Sequence, residues 1–213
     1  MTELRFSVLD IAPEPYAVVP TLVARLQVEE TTGEPVHALA LRAQVRIDAQ
    51  RRRYDDDEAV GLLDLFGPPQ RWGETLRPLL WLHTTAMVPG FTGATEVELA
   101  LPCTYDFEVS GAKYLSALRD GVIPLLLLFS GTVFTRGSTG FAVTQVPWDR
   151  ETSYRLPVAV WRGVMDRYFP GSQWLRLDRD TVEALTRFKS ERGLPTWEET
   201  FAALLAAEGQ VAR

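Results

Sequence analysis

The sequence predicts an α+β fold: an antiparallel, β-sandwich-like layer of about seven to eight strands with inserted short helices, then a C-terminal three-helix segment. Three observations carry this reading. Apolar residues alternate with period two up to about Pro157, the period then changes to 3.6, and Gly, Pro and Asp punctuate the first region at short intervals. Runs of strands followed by runs of helices favour α+β over a parallel βαβ sheet. With 213 residues, the chain reads as one structural unit, an antiparallel β domain over 1–156 with a helical extension over 157–213 packed on it.

The strands follow in order. Leu4, Phe6 and Val8 alternate at the start, and from Thr21 the set Leu22, Ala24, Leu26 and Val28 faces one way while Arg25, Gln27 and Glu29 face the other. After the turn residues 31–35, the inward set His37, Leu39, Leu41, Ala43, Val45 and Ile47 begins, so 21–29 and 36–48 are predicted to pair as a hairpin. Further strands are predicted over 80–88, 95–109, 123–135 and 141–146. In the segment 95–109 the inward phase runs from Val97 through Cys103 to Val109, and Pro102 marks an edge position or a bulge because it has no N–H to donate.

The helices follow from caps and period. Asp55 to Glu58 place acids at the positive end of a helix dipole, Val60, Leu62, Leu63 and Phe66 follow, and Gly67-Pro68-Pro69 stops the element. A second short helix is predicted over 111–119. Beyond Pro157, Val158, Trp161, Val164, Met165 and Tyr168 form one stripe. Asp180 with Glu183, and Thr196 with Glu199, have the spacing of capping boxes for two more helices.

Composition narrows the function classes. A net charge of −6 repels nucleic acid and anionic lipid. Asn is absent and only Lys113 and Lys189 are Lys, the signature of a GC-rich genome, so Arg abundance alone is weak evidence for anion recognition. Cys103 is the only cysteine, which excludes an internal disulfide and fits a reducing interior. Neither a signal segment nor a membrane span is expected, since the apolar run 122–129 is far below the ~20 residues a bilayer requires. The expected location is cytoplasmic.

No catalytic, metal or cofactor site is predicted. Cys103 shares the inward phase of its strand and reads as a small core hydrophobe. His37 and His83 have no second His or Cys at ligand spacing and read as partly buried, satisfied imidazoles. Arg51, Arg52 and Arg53 could grip a phosphate, a carboxylate or an acidic partner, and equally read as a solvated strand end neutralised by the four acids that follow. Among the six tryptophans, those near Trp148-Asp149-Arg150 and Trp174 are the candidates for an uncovered binding surface.

The phrases "APEPYAVVPTLVARLQVEETTGEPVHALALRAQVRI" (12–47), "VPGFTGATEVELALPCTYDFEV" (88–109), "LRDGVIPLLLLFSGTVF" (118–134) and "VPWDRETSYRLPVAVWRGVMDRYFPGSQWLRL" (146–177) resemble an actinobacterial domain family of unknown function. That family is associated with gene neighbourhoods of nickel–iron uptake hydrogenases, and the likeness covers about Leu4 to Leu205. It implies a cytosolic accessory or assembly role and transfers no site residues. The expectation is a non-catalytic accessory or interaction protein with a protein partner, free to self-associate, assisting assembly or maturation of a hydrogenase-like complex. The alternatives are an enzyme with an Arg/carboxylate site and a general holdase chaperone.

Overall fold

In the computed structural model, which describes residues 3–104, 109–137, 140–172 and 174–211, the alternating segments form two antiparallel sheets that bury their apolar faces against each other. The strands are β1 (Leu4–Pro13), β2 (Thr21–Glu30), β3 (Val36–Ile47), β4 (Leu79–Phe91), β5 (Ala94–Pro102), β6 (Val122–Gly137), β7 (Gly140–Gln145) and β8 (Glu151–Pro157). The helices are α1 (Asp56–Gly61), α2 (Leu63–Phe66), α3 (Trp72–Thr75), α4 (Ser110–Ala117), α5 (Val158–Tyr168), α6 (Arg179–Glu191) and α7 (Trp197–Val211). The α+β, sandwich-like class read from the sequence is what the chain adopts.

One sheet has the order β1-β2-β5; the other has the order β4-β3-β6, with the far edge of β6 shared by β7 and β8. Leu22, Ala24, Leu26 and Val28 of β2 are fully buried, as are Leu39, Ala43, Val45 and Ile47 of β3. Each enclosed leucine contributes about 1.5–3 kcal/mol by leaving water. Phe6 of the first sheet stacks on Phe129 of the second, with ring centroids 4.3 Å apart.

The predicted β2–β3 hairpin does not form. β2 pairs with β1 and β5, β3 pairs with β4 and β6, and residues 31–35 cross from one sheet to the other. Both strands present an equally apolar face, and such faces pack across the sandwich as well as side by side. The crossing is held by Glu30, which continues the inward phase of β2 and is itself buried. Its carboxylate accepts from the Thr32 hydroxyl and from the amides of Glu3, Thr32 and Glu34 at 3.0–3.2 Å.

Other departures have local causes. The strand expected over 95–109 ends at Pro102, which closes the ladder opposite Thr21 on an edge strand; Val109 already precedes α4, and 105–108 lie outside the described residues. A bulge between Val36 and Ala38 turns His37 out to solvent, against Phe141 at 4.5 Å. His83, also expected to be partly buried, is exposed opposite Gln44. Strand β8 and the short helix α3 add to the elements read from the sequence. Where β6 passes from β8 to β7, Gly131 takes φ +150°, and a Cβ there would collide with the Ala40 carbonyl oxygen.

The chain divides into two compact units, Met1–Trp174 and Leu175–Arg213. The expected boundary at 156/157 lies ahead of α5, whose Val158, Trp161 and Val164 join the core of the first unit. The second unit is the α6–α7 pair. Thr196 caps α7, accepting from the Glu199 amide at 3.1 Å, as its spacing predicts. The N-cap of α6 is Asp178, two residues before the expected Asp180, and its carbonyl accepts from the Val182 amide. No helix among the described residues is long and apolar enough to cross a membrane.

Glu30 sets a pH dependence. Burial raises its pKa, but the hydrogen bonds from the Thr32 hydroxyl and the Thr32, Glu3 and Gly33 amides outweigh that and hold it below its ordinary 4.5. A lowered folded pKa stabilises the protein above the ordinary value and ceases to do so as pH falls through the folded one. Urea unfolding from pH 6 to pH 3 should therefore show Glu30→Gln less stable than wild type at pH 6, with the gap closing as pH drops below 4.5.

Candidate functional site

After β3 the chain makes a single 3-10 turn, Ala49–Arg51, and Arg52 then extends at φ −134°, ψ 164°. An extended residue puts its side chain opposite those of its neighbours. Arg52 therefore turns inward, leaving Arg51 and Arg53 on the outside. Three residues later Asp55 caps α1 by accepting from the Glu58 amide at 2.7 Å, and Glu58, in the first turn, is buried.

Arg52 and Glu58 meet there. Arg52 Nη2 lies 2.7 and 2.6 Å from the two Glu58 carboxylate oxygens, and the side chains are only 8% and 3% exposed. The remaining polar capacity is filled: Arg52 donates to the carbonyls of Arg53, Asp120 and Val122 at 3.1–3.3 Å, and Glu58 also accepts from the Arg119 amide at 2.8 Å. The guanidinium sits 4.9 Å from the Tyr54 ring centroid, a cation–π contact. Tyr54 donates its hydroxyl proton to the Ala49 carbonyl at 2.7 Å, which leaves Tyr114 to donate to Tyr54 at 2.8 Å. Burial pushes the Tyr54 phenol up to about 12 and the Tyr114 phenol well above its ordinary value. Neither works as an acid or base near neutral pH.

Above this knot lies a cleft of about 550 Å³, lined by Gln50, Arg51, Arg52, Arg53, Gly121, Val122 and Arg155. Four arginines line it, and among the described residues no acid does. Arg51 Nε contacts Asp48 at 2.8 Å and Arg52 is bound to Glu58. Among the described residues, Arg53 and Arg155 have no ion-pair partner.

All 213 residues match the model of a family described as a family of unknown function, DUF6084. The chain belongs to that family. No curated protein matches this DUF6084 chain in sequence. Among solved structures it is similar to the ApaA protein from Bordetella pertussis, at 14% identity over 73% of this chain and 93% of that one, with a TM-score of 0.28. It is also similar to a β-glucosidase from Kluyveromyces marxianus, at 13% identity, 72% and 15% coverage and a TM-score of 0.28. A third is β-glucosidase 3B from Thermotoga neapolitana, at 13% identity, 72% and 17% coverage and a TM-score of 0.26. The DUF6084 chain thus spans less than a fifth of either glucosidase.

The residues singled out from the sequence fall into separate places. Arg51, Arg52 and Arg53 share the cleft, with Arg52 as its buried member. Trp148, Asp149 and Arg150 form the β7–β8 turn, closed by the Arg150 amide donating to the Pro147 carbonyl and by Phe129 donating to the Arg150 carbonyl at 2.8 Å. That turn is at the other end of β8 from the cleft, about 20 Å away at ~3.3 Å per residue. Trp148 is 91% exposed at its tip; Trp174 is 58% exposed, edge-on to Phe169 at 6.5 Å. Sequence reasoning missed Arg155, which reaches the cleft because β8 pairs with β6 opposite Pro124. Its signal was the alternation of Thr152, Tyr154 and Leu156, which leaves Arg155 in the outward phase.

Cys103 is buried, and desolvation pushes its thiol up to about 12, so it is protonated and unreactive at neutral pH. Among the described residues no three His, Cys, Asp or Glu side chains are placed to hold a metal ion. The geometry therefore favours recognition of negative charge at the cleft and contact through an aromatic anchor at the turn. Glu58→Ala leaves the Arg52 charge buried without a counter-charge and should cost about 3–5 kcal/mol in chemical denaturation. Asp57→Ala, which removes only an exposed partner of Arg119, should cost less than about 1 kcal/mol.

Proposed function

We propose that this chain is a non-catalytic accessory protein that docks a protein partner through the β7–β8 turn. The observation that carries this reading is Trp148, a large aromatic almost wholly in water at the tip of a turn whose backbone is tied on both sides. A tryptophan on a pre-ordered turn loses little entropy on binding and buries a large area, the profile of an interface anchor. Assembly or maturation of a hydrogenase-like complex in the cytoplasm is the setting that the family resemblance implies for that partner.

An enzyme with an Arg/carboxylate site is less well supported. Asp48 is engaged by Arg51 and Glu58 by Arg52, Asp120 accepts from the amide of the cleft-lining Gly121 at 2.6 Å, and the exposed histidines stand on the sheet of β3 and β4. A holdase needs a long apolar groove. In the second unit Leu175, Leu177, Val182, Leu185, Trp197 and Phe201 line about 280 Å³, room for a few side chains rather than an extended segment.

The test is recovery of partners with the tagged chain expressed at native level in its host. Wild type should retain a stable partner, identified by mass spectrometry, and Trp148→Ala should lose about tenfold or more of it with unchanged circular dichroism. Loss of no partner with Trp148→Ala would remove the turn from the account. Recovery of none by wild type, with hydrogenase activity intact in a deletion strain, would contradict the role itself.

A further inference from the structure

We infer that the arginine cleft at the start of β6 is a binding site for the phosphoryl group of a small, soluble phosphate ester. The proposal is independent of the Trp148 turn, which lies at the far end of β8. It rests on three observations: where charge is left over, how the cationic forks are arranged, and how much room the cleft offers.

The chain carries a net charge of −6, yet among the described residues this cleft is lined by four arginines and no acid. Internal pairing accounts for two of them, Arg51 with Asp48 and Arg52 with Glu58. Arg53 and Arg155 are left exposed and without a carboxylate among the described residues. Like charges collected on an acidic protein repel one another, and a bound dianion is what relieves that repulsion. The leftover charge of two matches a phosphoryl group above its second ionisation.

The forks come from two separate stretches of backbone. Arg51 and Arg53 flank Arg52 on the segment that leaves β3, and Arg155 comes from β8, in register with Pro124. Forks from both stretches line the same cleft. A planar carboxylate engages one fork, whereas a tetrahedral phosphoryl group offers oxygens to several at once. Arg52 positions the others: its bonds to Glu58 and to the carbonyls of Arg53 and Val122 fix the backbone from which Arg51 and Arg53 project. The cleft, about 550 Å³, is larger than one phosphoryl group and within the range of small-molecule sites.

Calorimetric titration of the full chain with inorganic phosphate, and with glycerol phosphate as a simple ester, at pH 8 and low salt tests this. Saturable one-to-one binding is expected, weakening with added chloride and falling about tenfold or more in Arg53→Gln/Arg155→Gln. Arg187→Gln, an exposed arginine on α6, should bind as wild type does. Succinate, of equal charge but planar carboxylates, should bind about tenfold more weakly. The inference is overturned if millimolar phosphate gives no saturable heat, if the double variant binds unchanged with a wild-type melting curve, or if succinate binds as well. Binding only to phosphatidic acid vesicles, with none to free phosphate or glycerol phosphate, would overturn the soluble ligand.

Discussion

The ion pair between Arg52 and Glu58 is the constraint on which the functional end of the first unit depends. It joins the exit of β3, the first turn of α1 and the loop from α4 into β6. A guanidinium and a carboxylate enclosed this far from water are costly apart and tolerable only together, with further hydrogen bonds between each and the surrounding backbone. Arg51 and Arg53 flank Arg52 in the chain, and Gly121 and Val122 are held by the start of the β6–β8 ladder. The cleft is the outward face of a buried pair.

The rest of the unit is built on the same rule at lower stakes. Glu30 is a second enclosed acid, and it too is placed where the chain changes sheets, held by backbone amides instead of a cation. Tyr54 and Tyr114 repeat the pattern with phenols, one hydroxyl passing its proton to the Ala49 carbonyl and the other to its neighbour. On the β1 side, Tyr154 accepts from the Ile11 amide and donates to Asp10, joining β8 to the other sheet. Apolar alternation makes the two layers, and a few satisfied polar groups decide how they are joined.

Much of this was legible in the sequence, and the reasons for the rest are physical. Alternation in β2 and β3 reveals which side chains face inward but not which strand lies alongside, so a hairpin was expected where the chain crosses the sandwich. Glu30 carried the missing signal, since an acid in the apolar phase at a strand end must find donors in the next few residues. Arg51 to Arg53 read as a solvated strand end because four acids follow, and those acids as a helix start; burial of Arg52 and Glu58 depends on residues 119–122, far away in sequence. Arg155 could not be joined to Arg53 without knowing that β8 pairs with β6. His37 changed face through a one-residue bulge, which periodicity does not report. The cap at Thr196 and the helix start at the acids 55–58 were visible because such signals are local.

The two surfaces proposed are the aromatic turn at Trp148 and the cationic cleft, and the Arg51 and Arg53 side of the cleft flanks the buried Arg52. The most direct measurement is a double-mutant cycle on the unfolding free energies of Arg52→Met, Glu58→Leu and the pair together. If the two groups hold the joint as one unit, the double variant recovers about 2–3 kcal/mol relative to the sum of the single losses. Strictly additive losses would show that the pair does not organise this end of the protein.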